Sequence, residues 1–277
     1  MNRTRLGAAL RALRQASGKE AKAVARSAVM SPSKLSKIET GRVAPTVVDV
    51  ERILAAIGVS DEVKAEYMAA ARAETTEATA WRLVRRLGYH RKQQQIKALD
   101  DSTGLLRVFQ PSLVPGLLQT PEYVRAVFGR KGLSEEQFSL TVSARLARQQ
   151  ALYDATKTLQ FVITEPVLRW RLVPAAMMAG QLDRIISASR LGHVDIRVVP
   201  LAAPQTDVPA HSFVIRDDRM VTVETVHAEV TVTDPRDVEV YVRKFKGFSG
   251  AAVSGDAMRR MLEDIRDEFL GEQGSAP

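Results

Sequence analysis

The side chains best suited to chemistry in this chain lie in one stretch, SPSKLSKIETGR, from Ser31 to Arg42. Ser33, Lys34, Ser36, Lys37, Thr40 and Arg42 are short polar or basic groups, while Leu35 and Ile38, three residues apart, would turn one helix face inward. Such a helix makes and breaks no bonds. Its hydroxyl and ammonium groups donate to phosphate oxygens and base edges, the two kinds of contact from which DNA recognition is built. The bland alternative is a surface helix of a bundle with solvated lysines. The coincidence of a cap, a local excess of charge and a preceding short helix favours DNA.

Covalent and metal chemistry find less support. The sequence has no G-x-S-x-G, P-loop, G-x-G-x-x-G or H-E-x-x-H pattern. It has no cysteine, which excludes disulfides and thiolate metal sites and fits a reducing compartment. Its histidines, His90, His193, His211 and His227, are far apart; a metal site would need His211, His227 and Glu224 to converge from neighbouring strands, and ordinary strand histidines are the better reading. Glu165, Arg169 and Arg171 in EPVLRWRL would suit a polar site, with a structural ion pair favoured over it. The expectation is a protein that is not an enzyme, with no catalytic residue, no metal and no cofactor.

Charge is placed where a DNA-facing module would place it. The net charge is +8, and the first 42 residues carry ten Lys and Arg against two acids; the other 235 residues carry thirty of each. With 45% hydrophobic and 26% charged residues, a chain of 277 has globular composition and room for two domains. Arginines interrupt every apolar run in MNRTRLGAALRALRQ, so neither a signal peptide nor a membrane span is expected, and the predicted location is the cytoplasm.

Stepping along the chain, Leu6, Leu10 and Leu13 predict a first helix ending near Ser17-Gly18, with a second over about 19–28. The third begins at Ser31, whose hydroxyl can cap it, with Pro32 at the first helical position and Gly41 as its stop. A fourth helix follows Pro45-Thr46 up to Gly58, and a fifth covers 61–73. Residues 74–95 read as a linker helix whose Arg85, Arg86, Arg91 and Lys92 are a solvated charge run in preference to phosphate contacts.

From residue 96 the pattern becomes mixed α and β. Ser134 with Gln137 predicts a capping box opening a helix through about Tyr153. Strands are predicted at 158–164 and 193–200, a helix at 175–189, and three close-spaced strands in HSFVIR, RMVTVETV and AEVTVT that suggest an antiparallel meander. Helices over about 236–248 and 254–270 precede a disordered tail, 271–277. The predicted organisation is a five-helix domain over 1–73, a linker over 74–95, and a mixed α/β domain with a partly antiparallel sheet over 96–270.

At Ala25, Val29-Met30, Ser31, Ile38-Glu39-Thr40-Gly41 and Pro45 the N-terminal region resembles the XRE and lambda-repressor type of helix-turn-helix, which implies a five-helix DNA-binding domain. Position by position, the resemblance puts Pro32, Ser33 and Lys37 near bases, Lys34, Thr40 and Arg42 near phosphates, and Glu39 in a structural role. Val29 stands where that pattern often has a turn glycine, and Pro32 where it often has Gln, removing a donor for adenine. Such domains act as dimers on half-sites about 34–36 Å apart, so a homodimer on double-stranded DNA is expected.

The segment VPGLLQTPEYVRAV, together with ARLARQQALY, LQFVITEPVLRWRL, QLDRII, VDIRVVP and VTVETVHAEV, resembles the C-terminal domain of actinomycete regulators of the WhiJ type. That resemblance implies a repressor-like transcriptional regulator whose second domain binds a small protein encoded nearby, a small-molecule effector, or both; an antitoxin-like protein that neutralises its partner and autoregulates is the other version. Within the segment, Pro111 and Pro115 favour extended chain, Thr120 and Pro121 start a helix, and Leu113, Val114, Leu117 and Leu118 must be buried in the core, an interface or a pocket wall. The candidate partner or ligand residues are Leu113, Leu117, Leu118, Tyr123, Glu165 and Arg169.

Overall fold

The computed structural model describes residues 3–43, 45–204 and 207–272. The chain forms two compact units, Met1–Ala78 with Thr231–Asp234, and Thr79–Val230 with Pro235–Pro277. No helix among the described residues is long and apolar enough to cross a membrane.

Among the described residues the first unit contains five helices: α1 (Arg3–Ala16), α2 (Ala21–Ser27), α3 (Pro32–Glu39), α4 (Val47–Ile57) and α5 (Asp61–Thr75). Leu6 and Leu10 of α1, Leu35 and Ile38 of α3, and Val50, Ile53 and Leu54 of α4 are buried in one cluster, so each helix turns its apolar stripe to a common centre. Local chemistry sets the ends. The Ser31 hydroxyl accepts from the Lys34 backbone N–H at 3.1 Å, and Thr46 with Asp49 forms a reciprocal capping box on α4. Gly7 lets α1 approach α3 closely; a Cβ there would lie 2.2 Å from the Ile38 carbonyl oxygen.

The predicted linker helix over 74–95 is corrected. After α5 comes strand β1 (Thr76–Ala80), then α6 (Trp81–Leu87) and α7 (Tyr89–Asp101). On α7 the residues Tyr89, Gln93, Ile96 and Asp100 are buried at helical spacing, and the Lys92 ammonium pairs with Glu229. This segment has an inward face, which a linker read from its surface charges would lack. The tail expected over 271–277 lies, from 273 onward, outside the described residues.

The second unit is built on β2 (Leu105–Gln110), β3 (Thr158–Thr164), β4 (Val194–Val199), β5 (Phe213–Arg216), β6 (Met220–Glu224) and β7 (Ala228–Val232). The seven-stranded sheet has the order β1-β7-β6-β5-β2-β3-β4. β2 is parallel to β3, β3 is parallel to β4, while β2–β5 and β5–β6 are antiparallel. β2, a strand not expected from the sequence, is therefore where the parallel and antiparallel halves meet.

Both sheet faces are covered. Leu106, Val108, Phe161 and Ile196 share a core with Met178, Leu182 and Ile185 of α11 (Ala175–Ala188) and Met258, Leu262 and Ile265 of α13 (Gly255–Gly271). Phe109, pointing the other way from β2, stacks on Phe248 of α12 (Pro235–Gly250) with centroids 4.2 Å apart. Between β2 and β3 run α8 (Pro121–Gly129) and α9 (Glu135–Arg148); the last turn expected of α9 is a separate 3-10 turn, Gln149–Tyr153. A short α10 (Glu165–Arg169) follows β3.

Candidate functional site

The first unit presents α3 as its polar helix. Pro32, Ser33, Lys34, Ser36, Lys37, Thr40 and Arg42 are all exposed, whereas Leu35 and Ile38 are fully buried beneath them. The helix is anchored at both ends by ion pairs. Arg14 of α1 donates from Nε and Nη2 to the two Glu39 carboxylate oxygens at 2.7 and 3.0 Å, and these bonds raise the guanidinium above its ordinary value. Glu39 is thus a structural residue that ties the end of α3 to α1.

Lys34, expected near phosphates, is engaged inside the unit while staying exposed. Its ammonium lies 2.7 Å from Asp49 Oδ1, and Asp49 is buried. Burial opposes the Asp49 charge, but hydrogen bonds from Lys34 and from Thr46 outweigh it and hold the carboxyl below its ordinary value. Thr40 is also engaged: its hydroxyl donates to the Ser36 carbonyl at 2.8 Å, so donation to a phosphate requires that bond to break. Lys22, Arg26, Lys37 and Arg42 are exposed and make no ion pair among the described residues. With Arg11 and Arg52, likewise exposed and without an ion pair among the described residues, they are cations left over for an external anion.

The turn before α3 closes α2 in a Schellman arrangement. Met30 N–H donates to the Ala25 carbonyl at 3.0 Å and Val29 N–H to that of Arg26 at 3.2 Å. Val29 takes φ 55°, so a β-branched side chain adopts the left-handed conformation for which glycine is the usual residue.

In the second unit the stretch Leu113–Gln119 follows the carboxyl end of β2. Three buried glutamines satisfy its backbone. Gln119 Nε2 donates to the Val114 carbonyl at 2.8 Å, Gln149 Nε2 to those of Gly116 and Gln119, and Gln181 Nε2 to that of Leu118. Gln181 Oε1 accepts in return from Thr120 N–H, and the Thr120 hydroxyl caps α8. A loop with so little access to water needs these side-chain partners.

This stretch forms one wall of a cavity of about 150 Å³, whose other walls come from Trp81, Tyr89, Gln93, Phe128, Arg145 and Phe161. Of the candidate partner or ligand residues, Leu113 and Leu117 line the cavity, and Leu117 is at the same time buried in the sheet core with Leu118 and Tyr123, which do not reach the cavity. Glu165 and Arg169 do not line this cavity. Arg169 pairs with both Glu165 and Glu268, and Glu165 also accepts from Leu201 N–H at 2.9 Å, so the pair knits α10 to its surroundings. Among the described residues His211, His227 and Glu224 do not gather into a group able to hold a metal ion.

Of the cavity cations, Arg145 and Arg148 have no counterpart among the residues expected from the sequence; their three-residue spacing on one face of α9 is the signal that points to them.

The family described as Domain of unknown function (DUF5753) matches residues 93–264. The chain belongs to the DUF5753 family. A helix-turn-helix domain matches residues 5–67, so the DUF5753 region follows a DNA-binding module. No curated protein matches the chain in sequence. Among solved structures, TrmBL2, an archaeal chromatin protein described as showing a novel mode of DNA binding, is 15% identical with a TM-score of 0.36, covering 74% of this chain and 65% of that one. A phospholipase D family member, nuc from Salmonella typhimurium, is 12% identical with a TM-score of 0.35, covering 65% of this chain and 98% of that one. The DUF5753 chain thus spans slightly less than two thirds of TrmBL2, and likenesses this low carry no conclusion about activity.

Proposed function

We propose that this protein is a sequence-specific transcriptional regulator, acting as a repressor, in which α3 enters the DNA major groove and the DUF5753 unit adjusts its occupancy. The observation that carries the reading is the division of labour on α3: Leu35 and Ile38 are buried, Lys34 and Glu39 are paired inside the unit, and Ser33, Ser36, Lys37 and Arg42 remain exposed. Lys37 and Ser33 approach base edges, Arg42 a phosphate, and Pro32, lacking an N–H, offers only apolar contact such as that with a thymine methyl. A module of this size gains affinity by pairing, so the working form is a homodimer on two half-sites.

The experiment is a salt titration of binding to the protein's own promoter region. Affinity should fall log-linearly with salt, Arg42→Ala should reduce the slope by about one, and Lys37→Ala should cost roughly 1–3 kcal/mol on the specific site. Binding that ignores salt would overturn the phosphate-driven mechanism. A small-protein partner of the second unit is read separately, by a stoichiometric companion on purification from the native host.

A further inference from the structure

We propose that the cavity beside Leu113–Gln119 is a binding site for a small aromatic carboxylate, gripped by the Arg145 guanidinium and enclosed by Trp81, Tyr89 and Phe128. The proposal rests on reading the second unit as the regulatory one, and it assigns the chemistry of the effector.

The cations around this cavity are not equivalent. Arg148 pairs with Asp100 at 2.7 Å, and Lys92 pairs with Glu229. Arg145 has no carboxylate within ion-pair distance among the described residues. Its Nε donates to Gln93 Oε1 at 2.8 Å and its Nη1 to Gln119 Oε1 at 3.3 Å, both neutral acceptors, and its Cζ lies over the Phe128 ring, 5.1 Å from the centroid. Three of its five N–H groups therefore remain, spread over Nη1 and Nη2, which is the end-on fork that a carboxylate accepts from.

The surroundings are arranged for that guanidinium. A Cβ on Gly116 would stand 2.3 Å from Arg145 Nη1, so glycine leaves the room it occupies. Burial, with Arg148 adding to it, pushes the Arg145 guanidinium down to about 9. A cation held in this way carries an unmet desolvation cost that a bound anion would relieve.

Size and wall chemistry narrow the ligand. The cavity, at about 150 Å³, is half the lower end of the roughly 300–1,000 Å³ typical of drug-sized ligands, which suits a single ring. Trp81 and Tyr89 stack at 6.4 Å, and Trp81 is pinned by its indole N–H to the Thr225 carbonyl at 2.8 Å. Trp81, Tyr89 and Lys131 also line a neighbouring surface depression together with Arg85 and Arg130, a rim that attracts anions. Glu224 is the one carboxylate lining the cavity among the described residues, and it weighs against a dianion such as phosphate.

The test uses the full chain carrying Trp170→Phe, which removes the exposed second tryptophan and leaves Trp81 as the fluorophore. Benzoate, its neutral isostere benzamide and inorganic phosphate are titrated at millimolar concentration, with Trp81 fluorescence and Tm as readouts. Benzoate is expected to give a saturable fluorescence change and a rise in Tm, the other two neither. Arg145→Gln should weaken benzoate by about tenfold or more. Lys131→Glu, at an exposed position that cannot unfold the core, should weaken it several-fold and reduce its salt dependence. Equal responses to benzoate and benzamide, a preference for phosphate, no benzoate response, or unchanged affinity in both variants would each overturn the site. DNA affinity is measured in the same samples: benzoate binding without any effect on DNA would refute the regulatory reading and leave the site standing, whereas DNA binding with no benzoate response would refute the site alone.

Discussion

Replacing Val29 with glycine should stabilise the first unit, although it deletes a side chain. Val29 is 75% exposed, so its removal forfeits little burial, and its φ of 55° is one that L-residues adopt at a cost of about 1–2 kcal/mol. Glycine relieves that cost but loses roughly 0.5–1 kcal/mol through the greater freedom of its unfolded chain. The net gain is about 1 kcal/mol, or roughly fivefold in the opening equilibrium. The molecule contains its own control: α3 ends in the same arrangement, with Gly41 at φ 70° and Arg42 N–H donating to the Lys37 carbonyl at 2.8 Å. Gly41→Val should therefore move stability the other way. Amide hydrogen exchange in the full chain reads both variants. Protection of Leu35 and Ile38 should rise in Val29→Gly and fall in Gly41→Val, while Ile163 in the second unit stays unchanged. Unchanged or reduced protection in Val29→Gly would refute the strain argument.

Gly7→Ala should reverse the usual helix preference: alanine normally gains about 1 kcal/mol in a helix interior, but its Cβ, only 2.2 Å from the Ile38 carbonyl oxygen, forces α1 and α3 apart at roughly 1–3 kcal/mol. Thermal unfolding should come earlier and DNA affinity should drop, and a more stable variant would show that the helices do not touch there. The lowered Asp49 carboxyl contributes stability that is present above its ordinary value near pH 4 and is lost as pH falls through its folded value, so Asp49→Asn should flatten the acid limb of stability measured below about pH 4. Asp100 accepts from both Arg148 and Arg216 in the interior; Asp100→Asn leaves two buried cations facing a neutral amide and should cost about 3–5 kcal/mol by denaturant titration, and a near-neutral result would mean water already solvates them.

The first unit was legible because the forces that shape it act over a few residues. Ser31, Thr46 and Gly41 mark helix ends by hydrogen bonds three to five residues long, and the Leu6, Leu10, Leu35 and Ile38 spacing states which faces go inward. In the second unit the strands at 158–164 and 194–199 were visible as apolar runs. β2 was not: Arg107 sits near its centre, paired across to Gln160 and Asp218, and apolar Leu105 and Phe109 share its face, so the residue types do not alternate as a strand's usually do.

The sequence by itself determined that a small helical module with exposed Ser33, Lys37 and Arg42 precedes a larger α/β unit, since caps, charge and apolar period are properties of neighbouring residues. Only the tertiary structure decided that Lys34 pairs with Asp49, that Leu118 and Tyr123 go wholly to the core while Leu113 stays at a cavity wall, and that Gly116 makes room for Arg145. Those outcomes join residues 15 to 29 positions apart or separate residues that are near neighbours in the chain. Ion pairing and close packing depend on distance in space, and the chain's order carries no direct record of that distance.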